Sequence, residues 1–240
     1  MPDFAKLDEV EHADLRVAVG YADAPHTKVN QTLVFPTEFI PLSREYPIFF
    51  RKDQNGKFYA VVLLGLDRNE NLFLDGDRWT ARYVPAVIER GPFALAIEGG
   101  DQPGGTAEAV IHVDMDDPRV GAGHGERVFL PHGGRAPYLE AAGKVLNRIH
   151  VGAGLVDDFF DRLSALDLIE PLTLQASLGE DLQYTVPDIF TISRENMAGL
   201  SGDQLRELNQ IGLLEHCFAI MASIDNFSKL VDLKAMQKKG

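Results

Sequence analysis

Hydrophobic and polar positions change period part-way along the chain, near Ala136. Before that point apolar residues alternate or gather in short runs, as strands require. After it they recur at three and four, as helices require. The clearest local unit is YPIFFRKDQNGKFYAVVLLGL, residues 46–66, where Asn55-Gly56 separates two runs rich in aromatic and branched side chains. Asn-Gly accepts the positive φ of a tight turn, so 47–52 and 57–66 are predicted to pair as a hairpin. A second turn at Asn69-Glu70-Asn71 is expected to lead into Leu72-Phe73-Leu74 as a third consecutive antiparallel strand. A helix is then expected to open near Pro85, where the missing N–H costs nothing.

Elsewhere in the first part, 15–19 reads as a short strand. Val29, Leu33, Val34 and Phe35 read as an edge strand ended by Pro36, with a polar turn or short helix running to Arg44-Glu45. Strands are expected over 93–97 and 109–115, with a surface loop over 98–105 and a second irregular loop over 117–125. Beyond Ala136, Leu139, Ala142, Val145, Leu146 and Ile149 define one amphipathic helix, and Leu155, Phe159, Leu163 and Leu166 a second, joined at Gly152-Ala153-Gly154. A hairpin around 179–181 follows. Ser201 and Gln204 in capping-box spacing then open a helical C-terminal part.

The expected class is α+β. A largely antiparallel, curved sheet fills the N-terminal two-thirds, with a helical hairpin, a β-hairpin and a helical C-terminal cap added. We expect one body over 1–240, mainly β over 1–135 and mainly helical with a β-hairpin over 136–240.

Composition narrows the function classes. With 240 residues and 45% apolar content the chain can bury a substantial core. Its net charge of −13 repels phosphate backbones and anionic headgroups, so nucleic acid is not an expected partner, although a local basic patch such as 234–239 remains open. Acidic residues occupy the N-terminus where a secretory leader needs basic ones, and apolar runs such as 59–66 are far shorter than the ~20 residues of a spanning helix. Membrane insertion is not expected. A single cysteine, Cys217, forms no internal disulfide and fits a reducing, cytoplasmic compartment.

Candidate chemistry is sparse. His112-Val113-Asp114 places a histidine and a carboxylate on one face of a strand, the beginning of a two-histidine, one-carboxylate iron site whose second histidine would come from His124, His132 or His150. Acidic turns that bind nothing are the commoner case. The stretch 67–71 starts like a calcium loop, but Leu72 and Arg78 stand where the glycine and the last carboxylate belong. Gly199-Leu200-Ser201-Gly202 has the wrong spacing for a nucleophile elbow, and 121–125 lacks the Lys-Ser/Thr of a phosphate loop. Cys217 lies on an apolar helical face, where a thiol fills space.

No metal, cofactor or catalytic set is therefore expected. The more promising group is Asp75, Asp77, Arg78 and the lone Trp79, with Tyr83 and Arg51, because Trp, Tyr and Arg dominate recognition surfaces. The alternative, given more weight for Trp79, is that its ring packs while Asp75 and Asp77 end a strand.

The blocks YPIFFRK, LLGL, NLFLDGDRW, YVPA, DDPRV, GERVF, PYLE and LIEPLTL, in this order, resemble the bacterial SapC family over about 27–233. The family is named after a protein linked to the surface layer of a pathogenic bacterium. Its members occur beside TonB-dependent receptors, flavin-dependent halogenases and cupin-like oxygenases. The resemblance implies an accessory role in envelope uptake or substrate tailoring and carries no catalytic residues. An unrelated peptide-transport permease shares the name, and the lack of apolar spans separates this chain from it. Together these readings point to a binding protein that recognises a peptide or protein partner, with an iron-dependent oxygenase built on His112 and Asp114 as the alternative.

Overall fold

The computed structural model describes residues 3–22, 24–25, 27–99, 108–121, 123–177 and 183–237. In chain order its strands are β1 (Phe4–Lys6), β2 (Arg16–Val17), β3 (Gln31–Val34), β4 (Ile48–Lys52), β5 (Phe58–Leu63), β6 (Leu74–Asp75), β7 (Arg78–Trp79), β8 (Phe93–Glu98), β9 (Glu108–Asp114), β10 (Glu126–Arg127), β11 (Ile169–Ser177) and β12 (Gln183–Ile192). The helices are α1 (Phe39–Leu42), preceded by a 3-10 turn at Pro36–Glu38, then α2 (Ala86–Glu89), α3 (Pro137–Gly154), α4 (Val156–Ala165), α5 (Arg194–Ala198), α6 (Gly202–Gln210), α7 (Leu213–Ser223) and α8 (Asn226–Gln237). The fold is α+β, and every strand pairing in its sheets is antiparallel.

Internal contacts divide the chain into two compact units, each assembled from separated stretches. The first comprises Met1–Thr27, Leu74–Thr80 and Ala86–His150. It holds the sheet β1-β9-β8 and the two-stranded ribbons β10-β2 and β6-β7. Its core joins Phe93, Ile111 and Val113 of that sheet to Val17, Val128, Phe129 and the helix residues Leu139, Ala142 and Leu146. These three helix positions share one face, as the 3.6-residue period demands.

The second unit comprises Lys28–Phe73, Ala81–Pro85 and Val151–Gly240. Its five-stranded sheet has the order β11-β12-β4-β5-β3. The β4-β5 hairpin forms as its sequence requires: Gly56 has φ 80°, and Asp53 Oδ1 accepts the N–H groups of Asn55 and Lys57 at 2.8 Å each. The third strand is not where the pattern put it. Leu72 donates one hydrogen bond to the Leu64 carbonyl, after which Leu74–Asp75 pairs with Arg78–Trp79 instead. The free side of β5 is taken by β3, with Leu33 opposite Val61, so a non-local pairing won over the adjacent turn.

Phe50, Phe159 and Phe160 pack edge to face in this core, with centroids 5.0 Å apart for Phe50–Phe160 and 5.1 Å for Phe159–Phe160. Helix α3 runs on through the expected Gly152–Gly154 joint, and only Leu155 separates it from α4. Gly152 is required by close approach, since a Cβ there would stand 2.5 Å from both Phe35 Cβ and Thr37 Oγ1. Ser201 caps α6 as its spacing predicts: its Oγ accepts from Gln204 N at 3.3 Å while Gln204 Oε1 accepts from Ser201 N at 2.8 Å. The turn expected at 179–181 and most of the loop expected at 98–105 lie outside the described residues. No helix of the described residues is long and apolar enough to cross a membrane.

Candidate functional site

Two features of the second unit face outward with unused binding capacity. One is the outer edge of β11, which ends the five-stranded sheet and pairs only with β12 among the described residues. Its nine residues, IEPLTLQAS, include a single charged side chain, Glu170. Edge strands are ordinarily blunted by charges, prolines or bulges. Here Pro171 lies near the start, and the register shifts between Leu172 and Leu174. Asp188, at φ 54°, carries the extra residue of that bulge on β12, away from the open edge. From Leu172 to Ser177 the edge bears no charge at all.

The other is a concavity of about 430 Å³ lined by Pro41, Arg44, Glu45, Arg82, Tyr83 and Lys229. Three separated segments meet there, tied together by hydrogen bonds. Tyr46, fully buried, donates its hydroxyl to the Tyr83 carbonyl at 2.5 Å. Asn226 at the start of α8 donates its side-chain amide to the carbonyls of Ser43 and Tyr46, at 2.8 and 3.2 Å. Glu45 Oε1 accepts the Arg82 backbone N–H at 2.8 Å, and Glu45 Oε2 lies 3.7 Å from Lys229 Nζ. Lys229 also stands over the Phe73 ring, 5.7 Å from its centroid. The guanidinium groups of Arg44 and Arg82, both exposed, have no partner among the described residues.

The residues singled out from sequence fall in different places. Asp75, Asp77, Arg78 and Trp79 belong to the first unit, on or beside the β6-β7 ribbon. Trp79 is 7% exposed and meets Tyr21 edge to face at 5.6 Å. Asp75 and Arg78 face solvent and pair with each other at 3.4 Å. Asp77 Oδ1 accepts the N–H groups of Tyr21 and Ala22, at 2.6 and 2.9 Å, and this carboxylate occupies the space a Cβ on Gly20 would need.

Arg51 and Tyr83 belong to the second unit. Arg51 donates from Nε to Gln31 Oε1 at 2.9 Å and from Nη1 to the Pro187 and Asp188 carbonyls, so it ties the β12 bulge to the sheet. Tyr83 alone of the group lines the basic concavity, and its hydroxyl donates to Glu38 Oε2 at 3.2 Å. Arg44, Arg82 and Lys229 were not singled out from sequence, because no local motif joins residues so far apart in the chain.

His112 does not gather ligands. Its Nε2 lies 3.1 Å from Glu98 Oε1, and Glu98 is also bound by Lys6 at 2.8 Å. Those bonds, Lys6 first, hold the Glu98 carboxyl below its usual range. Asp114 is buried and accepts the Asp116 N–H at 3.1 Å, as a strand-ending carboxylate does. Among the described residues no three His, Cys, Asp or Glu side chains are grouped where one metal ion could join them.

The first unit has its own polar concavity, lined by Gly20, Asp77, Arg119, His124 and Glu126 among others. Its charges are largely spent within the protein. Arg119, 7% exposed, makes a two-point bond to Asp117 at 2.9 and 2.7 Å and donates to the Gly20 carbonyl at 3.3 Å. Beside it, burial pushes the Tyr138 hydroxyl up to about 12, so it stays protonated.

These features define an antiparallel α+β protein with an uncharged sheet edge at β11 and a basic concavity; among the described residues no His, Cys, Asp and Glu side chains are grouped as a metal set. The chain belongs to the SapC family, whose model matches residues 7–230. No curated protein and no solved structure matches it.

Proposed function

We propose that this SapC-family chain is an accessory binding protein that takes an extended segment of a peptide or protein partner along the outer edge of β11. The observation that carries the reading is that edge itself: nine residues ending a five-stranded sheet, with no strand on their outer side among the described residues, and uncharged from Leu172 to Ser177. Strand addition draws affinity from main-chain hydrogen bonds and selectivity from alternate side chains. The partner's own strand then satisfies outer-edge N–H and C=O groups that no strand among the described residues pairs. An accessory role in envelope uptake or substrate tailoring, as the family resemblance implies, is compatible with a protein that binds without transforming.

The test is selection from a displayed library of random peptides, followed by N-methylation of each backbone amide of a selected peptide in turn. Strand addition predicts that binding is lost at every second position, since alternate amides point at the edge. It also predicts slowed amide exchange within β11 on binding. Selection of no peptide above a control protein, or losses without the two-residue period, would refute the reading.

A further inference from the structure

The basic concavity of the second unit carries a separate inference, which stands whether or not a strand adds to β11. We propose that it is a binding site for a compact dianion, a dicarboxylate or a phosphate monoester, held by Arg44 and Arg82 with Lys229 at its side.

Charge is the first ground. The protein carries a net −13, so its long-range field repels anions, yet three cations line this one concavity against a single carboxylate, Glu45. The local excess is two positive charges, which a dianion neutralises and a monoanion does not. The second ground is how the polar groups are used. Tyr46, Asn226 and the Arg82 backbone N–H are engaged in holding 41–46, 82–83 and 226–229 together, and the Tyr83 hydroxyl is spent on Glu38. Glu45 holds the Arg82 main chain and steadies Lys229. The two guanidiniums, the groups best suited to grip an oxyanion at two points, are the ones left without a partner among the described residues. The walls are thus built, while the fork-shaped donors remain available.

The concavity, about 430 Å³, admits a ligand of the size of succinate or phosphoserine and leaves it partly in water. Binding is therefore expected to weaken as salt is raised. Because the shared chemistry is the oxyanion, the two sources are separated by experiment.

Calorimetric titration in low-salt buffer would use succinate, inorganic phosphate and O-phosphoserine, with acetate as the monoanion. We expect saturable binding of at least one dianion and much weaker binding of acetate, and the preferred dianion identifies the source as carboxylate or phosphate. Arg44→Gln and Arg82→Gln should each weaken it by roughly tenfold or more, as charge-assisted bonds do. Both side chains are exposed and unengaged, so neither change should disturb folding. Glu45→Gln keeps an acceptor for the Arg82 N–H while raising the local excess charge, and should tighten binding. No saturable dianion binding, acetate bound as well as the dianions, unchanged affinity in the double arginine variant, or weaker binding in Glu45→Gln would each overturn the proposal.

Discussion

Replacing Lys234 by methionine should destabilise the protein although it removes a charge from a largely apolar position. Lys234 is 5% exposed in α8, where its ammonium meets Glu70 and, at 2.7 Å, Asp67. Burial alone would lower its pKa, but the bonds to Asp67 and Glu70 outweigh burial and raise it. A lysine with a raised folded pKa gives its full stabilisation below the ordinary lysine range and loses it only as pH climbs through the raised value. A neutral assay therefore reads the whole effect.

Two partners differ in what they lose. The Asp67 side chain is 52% exposed, so water replaces the ammonium there at little cost, within about 1 kcal/mol. The Glu70 side chain is 10% exposed and would be left buried without its cation, a situation that costs about 3–5 kcal/mol when nothing compensates. It keeps the backbone N–H groups of Leu66 and Asp67, at 2.9 and 3.1 Å, which places the expected loss for Lys234→Met at about 2–3 kcal/mol.

Urea unfolding of wild type, Lys234→Met, Glu70→Gln and the double variant measures this as a shift of midpoint at unchanged slope. With Glu70 neutralised, the methionine should cost less, giving a coupling energy of about 1–2 kcal/mol. A methionine variant as stable as wild type, or a double variant whose loss is the sum of the two singles, would refute the reasoning.

Gly152→Ala should destabilise by about 1–2 kcal/mol despite alanine's better helix propensity, because its Cβ would lie 2.5 Å from Phe35 and Thr37; Gly154→Ala, with nothing within 4 Å, should be neutral or slightly stabilising, and thermal melts compare them. Burial lowers the His216 pKa against the pull of Glu215 and the backbone at Gly212 and Pro36, so the unfolded chain binds the proton more readily; stability should fall as pH drops through the ordinary imidazole value of ~6.5, and His216→Gln should flatten that acid limb in pH-dependent urea titrations.

Local chemistry was legible in the sequence where it is self-contained. The Asn55-Gly56 hairpin and the Ser201–Gln204 capping box are each decided by residues a few positions apart, and both formed as read. The Leu72–Leu74 strand failed because β5 had a competing partner, β3, whose claim is invisible to any window around residue 70. Lys234, which opens a run that reads as a basic surface patch, is instead buried against two carboxylates that arrive from the 67–70 turn. The basic concavity was hidden for the same reason. Arg44, Arg82 and Lys229 become neighbours only through the hydrogen bonds of Tyr46 and Asn226, and each alone is an ordinary surface cation.

The interleaving of the two units also sets an order of events during synthesis. All residues of the first unit have been made once His150 has left the ribosome, and it can close while the chain is still growing. The second unit has by then received β3, β4 and β5 but lacks β12, the strand that covers the free side of β4, along with every helix from α4 onward. Phe50, whose ring packs on Phe159 and Phe160 of α4, must therefore wait for a helix encoded far downstream, while the free edge of β4 waits for β12. The nascent chain passes through a stage at which one half is finished and the other is a three-stranded fragment with apolar side chains in water. That stage, rather than the completed molecule, is where a chaperone or an early partner would have most to bind.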